Sequence, residues 1–296
     1  MCEGEKKGRN FTIKAPAKLN MRLKVTGRRP DGYHNLVSIM VPVDLFDRLE
    51  IRLIPEGVTF SCTGLAVPSD ETNLVVKAAR SFFSRVGKAY GASILLEKRI
   101  PLSAGMGGGS SDAASLLLLL NEALGNPVSQ EELHETALSL GADVPFFLAC
   151  KPAIARGIGE ILDPISDWPE FRYVIVTPRI QVSTAWVYEN LRLKELTRNE
   201  YSHIKTLLRE NPEAVTRILE NDLESVTSAR FPVIETIKHL LLDSGAVGAL
   251  MTGSGPSVFG VFSSSGQAEA AKNHILSRNM GDVFLVRKWE RESIIQ

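Results

Sequence analysis

The stretch PLSAGMGGGSSDAASLLLLLN, from Pro101 to Asn121, sets four glycines in a short loop directly before a run of leucines, and it restricts the fold more than any other part of the chain. Glycine is costly to order, so a cluster of it marks backbone at positive φ or in close approach to a partner. The Ala/Leu body that follows has high helix propensity, and the serines at its head suit an N-cap, so a helix is predicted to begin near Ser110. A glycine-rich loop opening onto a helix N-terminus presents unpaired amide N–H groups at the positive end of the helix dipole. That arrangement is an anion cradle, and phosphate is its natural guest. A flexible linker is the alternative reading of the loop alone. The stretch lacks the Lys-Ser/Thr ending of a Walker A loop, and no well-formed G-x-G-x-x-G opens a βαβ unit around it, so a phosphate site here requires a different architecture.

At 296 residues the chain is long enough for two domains, each with its own core. Its 34 basic and 34 acidic side chains cancel, which leaves no electrostatic footprint for nucleic acid or an anionic membrane surface. Any anion is met locally. Cys2, Cys62 and Cys150 are far apart, with no CxxC pair and no histidine cluster at ligand spacing, which argues against a disulfide framework and a zinc site. The run Leu116 to Leu120 falls far short of the ~20 apolar residues of a membrane span. The opening MCEGEKKGRN carries charges and no apolar segment, so it reads as a frayed tail, and a cytoplasmic enzyme or binding protein is expected.

From Lys18 to Val25 apolar Leu19, Met21, Leu23 and Val25 alternate with Lys18, Asn20, Arg22 and Lys24. This predicts a half-buried strand with Lys18 and Asn20 on one face. Strands are also predicted over Leu36 to Val43, Arg48 to Leu53 and Ser93 to Lys98, and a helix from Asn73 to about Val86. Ser129-Gln-Glu-Glu132 is a capping box, and with Gly141 as a C′ glycine it predicts a helix over Gln130 to Leu140. Clustered helices point to α+β layering. A domain boundary is expected at DPISDWP, Asp163 to Pro169, dividing the chain into 1–165 and 166–296. Beyond it strands are predicted at Tyr173 to Thr177, Ala246 to Met251, Val258 to Phe262 and Phe284 to Lys288. Helices are predicted at Glu200 to Glu210, Glu213 to Leu219, Phe231 to Asp243 and Gln267 to Ser277. A second turn of small residues, Thr252-Gly-Ser-Gly-Pro-Ser257, precedes one of these strands.

Four segments occur together and in order: APAKLNMRLKVTGRRPDGYHNL, PLSAGMGGGSSDAA, GADVPFF and GALMTGSGPSVFGVF. In these the chain resembles the GHMP kinase superfamily over nearly its whole length, from about Lys14 to Lys288. Within it the chain is similar to the branch that uses ATP to phosphorylate the 2-hydroxyl of 4-diphosphocytidyl-2-C-methyl-D-erythritol in the non-mevalonate isoprenoid route. The resemblance implies a ribosomal-protein-S5-like N-terminal domain and a ferredoxin-like C-terminal domain, with ATP and substrate meeting between them. It implies Lys18 and Asp143 as the catalytic pair. Pro101, Leu102, Ser103, Ala104, Gly105, Met106, Gly107, Gly108, Gly109, Ser110 and Ser111 would wrap the ATP phosphates, with Asn73 near the adenine. Asn20, Tyr33, His34, Thr184 and Tyr188 would meet the substrate, the last as an aromatic stacked on cytosine. Asp112 suits the helix dipole but would repel a phosphate, so it is expected to point away from the nucleotide.

Phosphoryl transfer asks a protein chiefly to position groups and to stabilise spread negative charge. Loop amides and Mg²⁺ would hold the phosphates. Ser110 and Ser111 are both within reach as metal ligands, a choice the sequence leaves open. A free carboxylate titrates near ~4 and an alcohol, like water, near ~16, so the acid is expected to orient the hydroxyl and accept its proton late. Three rivals stand at this stage. Another GHMP-type kinase would have no use for RPDGYH, a nucleotide-binding regulator that has lost catalysis would have no use for the Lys18 and Asp143 pair, and an RNA-binding protein with an S5-like domain is opposed by the zero net charge.

Overall fold

The computed structural model describes residues 10–87, 90–192 and 214–291. The predicted helix over Glu200 to Glu210 lies outside these residues.

The first half is built on two long strands, β1 (Asn10–Arg28) and β2 (His34–Ile54), paired antiparallel along their whole length. Both are longer than the alternation indicated. Leu36 to Val43 and Arg48 to Leu53 are parts of one continuous β2, because the intervening chain stays extended: Phe46 and Asp47 pair with β1, and Asp44 and Leu45 are taken up at a register shift opposite Pro16 and Ala17. The sheet is completed by β3 (Gly57–Gly64), β4 (Gly91–Lys98), β5 (Ala153–Gly157), β6 (Ile161–Pro164) and the short β8 (Glu220–Asn221), which runs parallel to β1. Of these only β4 is legible in the sequence; the others are short or edge pieces with weak patterning.

Four helices accompany this sheet: α1 (Leu74–Val86), α2 (Gly108–Ala123), α3 (Gln130–Leu140) and α4 (Val144–Ala149). Leu116 to Leu120 are all buried, so α2 is apolar all round, as befits a helix packed on every side. The capping box of α3 forms as predicted, the Ser129 hydroxyl accepting from Glu132 N while the Glu132 carboxylate receives Ser129 N. Gly141 does not adopt the left-handed conformation expected of a C′ glycine. At φ 163° it is extended backbone, because the chain turns directly into α4.

The second half holds an antiparallel sheet ordered β11-β7-β10-β9, from β7 (Arg172–Thr177), β9 (Gly248–Met251), β10 (Val258–Phe262) and β11 (Asp282–Arg287). Its helices α8 (Val233–Asp243) and α9 (Ser265–Ser277) pack against it through Ile237, Leu241, Ala271 and Ile275. That order, with α8 packed on the sheet between its first two strands in sequence and α9 between its last two, is the ferredoxin-like split βαβ arrangement. The smaller α5 (Thr184–Asn190), α6 (Val215–Ile218) and α7 (Glu224–Arg230) complete the described helices.

The chain passes from one sheet to the other between β6 and β7, within Ile165 to Phe171. The two sheets nevertheless share a core in which Leu19, Ile39 and Val41 meet Tyr173, Ile175 and Phe259. This changes the reading of β1. Lys18 and Asn20 alternate with apolar neighbours but do not face water; they are only 4% and 2% exposed. Among the described residues no helix is long and apolar enough to cross a membrane.

Candidate active site

The glycine loop enters α2 through Gly107, not through a serine. Gly107 is the N-cap at φ 69°, and the first helical hydrogen bond runs from Ser111 N to Gly107 O at 2.9 Å. The helix therefore begins two residues earlier than predicted. A serine side chain at the cap would have accepted from a first-turn amide; glycine has no side chain to do so, leaving the amides of Gly108, Gly109 and Ser110 without intrahelical partners.

Three contacts hold the loop in shape. Lys18 N donates to Met106 O at 3.0 Å, joining the loop to β1. Thr252 Oγ1 accepts from Asn20 N at 3.0 Å and donates to Gly105 O at 3.3 Å, joining it to the second small-residue turn. Gly107 has Phe147 and the Lys18 Cε beside it, where an added Cβ would come within 2.9 and 3.3 Å. Gly108 is not at positive φ. A side chain there would meet Lys98 Nζ at 2.9 Å and Ile100 Cγ2 at 3.1 Å, so its missing Cβ makes room for what lies beneath the loop.

Asp143 stands at the head of α4, a six-residue helix broken from periodic reading by Pro145. The sequence places this acid at the unfavourable C-terminal end of α3; the structure gives it the N-cap position of α4 as well, where the dipole favours a carboxylate. Its Oδ2 lies 3.8 Å from Lys18 Nζ. The Lys18 ammonium also donates to Asn20 Oδ1, and Asn20 Nδ2 donates to Ser38 Oγ at 2.7 Å. Burial pushes the Lys18 ammonium below the ordinary lysine range, while Asp143 pulls it back up. Asp143 itself remains open to solvent, its side chain 39% exposed, so the pair joins a fixed cation to an accessible carboxylate.

These groups face one cleft of about 1430 Å³ between the two halves. It is lined by Lys18, Asn20, Asp143, the loop from Pro101 to Ser110, and the hairpin residues Arg28, Tyr33 and His34. Thr184 and Tyr188 of α5 line it as well. The His34 and Tyr188 rings stack on one another, centroids 5.1 Å apart at 26°. Partial burial, and then the Arg28 charge, push the His34 imidazole below its usual pKa, so it is uncharged at neutral pH. Burial and the nearby Asp143 push the Tyr188 phenol up.

Two of the singled-out residues do not line the cleft. Asn73 is the N-cap of α1, its Oδ1 accepting from Val75 N at 2.8 Å and its Nδ2 donating to Pro68 O at 2.6 Å; the neighbours Leu74, Val67 and Pro68 line the cleft instead. Ser111 is fully buried, and its hydroxyl has no hydrogen-bond partner, whereas Ser110 faces the cleft. Asp112 points away from the cleft, as expected, into an ion pair with Lys98 at 2.7 Å, where burial pushes its carboxyl up and the Lys98 ammonium pulls it back down. Sequence reasoning assigned no role to Thr252, Ser254, Arg28 or Lys98. The run TGSGPS was visible as a turn of small residues, but nothing local indicates that Thr252 meets Asn20 or that Ser254 Oγ lies 2.8 Å from Thr184 Oγ1.

The chain matches the family profiles for the GHMP kinases N terminal domain over residues 73–151 and the GHMP kinases C terminal over 193–282. It is 46% identical over 278 residues to the 4-diphosphocytidyl-2-C-methyl-D-erythritol kinase of Syntrophotalea carbinolica, covering 92% of this chain and 96% of that one. It is 47% identical over 279 residues to the enzyme of the same name from Geobacter metallireducens, covering 94% and 98%. A crystal structure of 4-(cytidine 5'-diphospho)-2C-methyl-D-erythritol kinase superposes with a TM-score of 0.80 at 35% identity, covering 94% of this chain and 99% of that one. The homoserine kinase of Cytophaga hutchinsonii shares the fold at a TM-score of 0.74 and 22% identity, covering 97% and 96%.

Proposed function

This chain belongs to the 4-diphosphocytidyl-2-C-methyl-D-erythritol kinases, a family of GHMP kinases, and from that premise we propose that it transfers the γ-phosphate of ATP to the 2-hydroxyl of 4-diphosphocytidyl-2-C-methyl-D-erythritol. It is a small-molecule kinase of isoprenoid precursor synthesis, and we take it to act in the cytoplasm without a nucleic-acid partner. The observation that carries the reading is the Lys18–Asp143 pair in the same cleft as the free amides of the glycine-capped α2.

The phosphates of ATP lie along Gly105 to Ser110, where first-turn amides and the α2 dipole stabilise negative charge. Mg²⁺ suits the oxygen donors available. Among the described residues no cluster of three or more His, Cys, Asp or Glu forms a cage, so Ser110 and phosphate oxygens would hold the ion, with water. When bound, it neutralises charge on the β- and γ-phosphates.

The acceptor hydroxyl meets Asp143, which orients it and takes its proton as the new oxygen–phosphorus bond forms and the γ-phosphorus parts from the β–γ bridging oxygen, releasing ADP. Lys18, anchored by Asn20, holds Asp143 in line and places positive charge beside the transferring group. The cytidylyl end lies near Tyr33, His34 and Tyr188. A neutral imidazole offers one donor and one acceptor to a base edge, and Tyr188 offers a stacking face. For such a substrate one His34–Tyr188 ring contact opens or shifts to admit the cytosine. Incubating the purified protein with Mg-ATP and 4-diphosphocytidyl-2-C-methyl-D-erythritol should give the 2-phosphate by mass spectrometry, and homoserine or mevalonate should give no product. Absence of product from folded protein would overturn this reading.

A further inference from the structure

Beneath the glycine loop, outside the catalytic groups, lies a buried cluster of three charged residues. Lys98 Nζ, at the end of β4, donates to Asp47 Oδ2 on β2 at 2.5 Å and to Asp112 Oδ2 in the second turn of α2 at 2.7 Å. Asp47 Oδ1 receives Arg99 N at 2.6 Å and Ile100 N at 2.8 Å. The three side chains are 2%, 0% and 2% exposed. Desolvating three charges is expensive, and well-packed apolar residues often match or exceed a buried ion cluster in stability, so stability alone does not account for it. Its position does. Lys98 and Asp112 are the two residues that bracket the phosphate loop, and Gly108 rests on the ammonium that joins them.

We propose that Asp47, Lys98 and Asp112 are positioning residues for nucleotide binding. Asp47 fixes the exit of β4, Lys98 closes the base of the loop onto α2, and the first-turn amides are thereby held at the spacing that ATP phosphates require. The loop between them carries positive φ at Ser103, Gly105 and Gly107, a shape with few local preferences to maintain it. With the closure made in advance, ATP does not have to order the loop as it binds. Lys98 touches the cleft, but two of its three donors are committed to carboxylates, so it acts in this arrangement as a strut. The inference rests on ATP use by this site and is independent of the identity of the acceptor alcohol.

The test compares Asp112→Ala and Asp112→Asn with the wild-type full chain, measuring Mg-ATP affinity and affinity for 4-diphosphocytidyl-2-C-methyl-D-erythritol separately by calorimetric titration. Loss of a charged hydrogen bond that organises the loop should weaken Mg-ATP by about tenfold in Asp112→Ala and leave acceptor affinity within about twofold. Asp112→Asn keeps an oxygen acceptor for Lys98 and should recover most of the loss. A folded Asp112→Ala protein that binds Mg-ATP as well as, or more tightly than, wild type would overturn the proposal, the second result meaning that the carboxylate merely repels phosphate. An Asp112→Asn protein as impaired as Asp112→Ala would overturn it too. If Asp112→Ala does not fold, Gly108→Ala decides: its methyl intrudes on the ammonium while both carboxylates remain, so Mg-ATP binding should weaken, and unchanged affinity would overturn the strut. Because binding is read directly, a wrong acceptor assignment would show as absent acceptor binding in wild type, with the Mg-ATP comparison still valid.

Discussion

The α-carbon of Gly105 faces the backbone carbonyl of Thr252 so closely that a methyl group built on it would lie 2.0 Å from that oxygen. The nucleotide loop and the TGSGPS turn are thus one assembly, joined at backbone level. Gly105→Ala has no side chain to rotate away and a positive φ of 75° to overcome. It should destabilise the protein by ~1–3 kcal/mol and weaken Mg-ATP binding in parallel, read by urea denaturation and calorimetry. Wild-type behaviour in both would show that the two loops do not meet in this way.

Asp143→Asn preserves shape and removes charge. We expect kcat to fall by ~10²-fold or more with the KM for ATP little changed, since the interaction belongs to the transition state. Lys18→Ala should also lose turnover. Because Lys18 and Asp143 interact, the double variant should lose less than the two single losses combined. Near-normal kcat in Asp143→Asn would remove that carboxylate from the chemical step.

Tyr188→Ala should act on the acceptor side alone. Its ring stacks on His34 and faces the cleft, so the KM for the cytidylylated substrate should rise by about tenfold while that for ATP holds steady. Equal effects on both substrates in steady-state kinetics would point to a general structural role.

His34 gives the site a pH dependence of known sign. Its folded-state pKa is lowered, so the unfolded chain takes up the proton first as pH falls below the ordinary value of 6.5, and native stability from this group declines there. Protonation also turns the imidazole's acceptor nitrogen into a donor. The KM for the cytidylylated substrate should therefore rise as pH falls from ~7.5 to ~5, while ATP affinity follows a different profile. In His34→Gln the acceptor-side rise should flatten; an unchanged profile would assign it to another group.

What could be read from the sequence was whatever neighbouring residues settle among themselves. The Ser129–Glu132 box caps α3 because both partners lie within one turn, and β10 starts and ends as predicted because VFGVF is apolar throughout. The glycine loop revealed its chemistry, since free amides at a helix start attract anions whatever surrounds them. Its cap was misread: serines have the higher general preference, but here Gly107 must also fit against Phe147 and Lys18. Helix α4 stayed hidden because six residues with an early proline carry no period. The alternation at Lys18 and Asn20 gave the right face and the wrong environment. The residue that meets Asn20 from the other half, Thr252, is 232 positions away. Only the closing of one sheet on the other decided that this polar face would be dry, and only packing within the first half brought Lys18 beside Asp143 and Lys98 under Gly108. A local pattern records which side of a strand prefers water; what covers that side is set by long-range packing, where burial of a shared apolar layer outweighs the cost of enclosing a few paired polar groups.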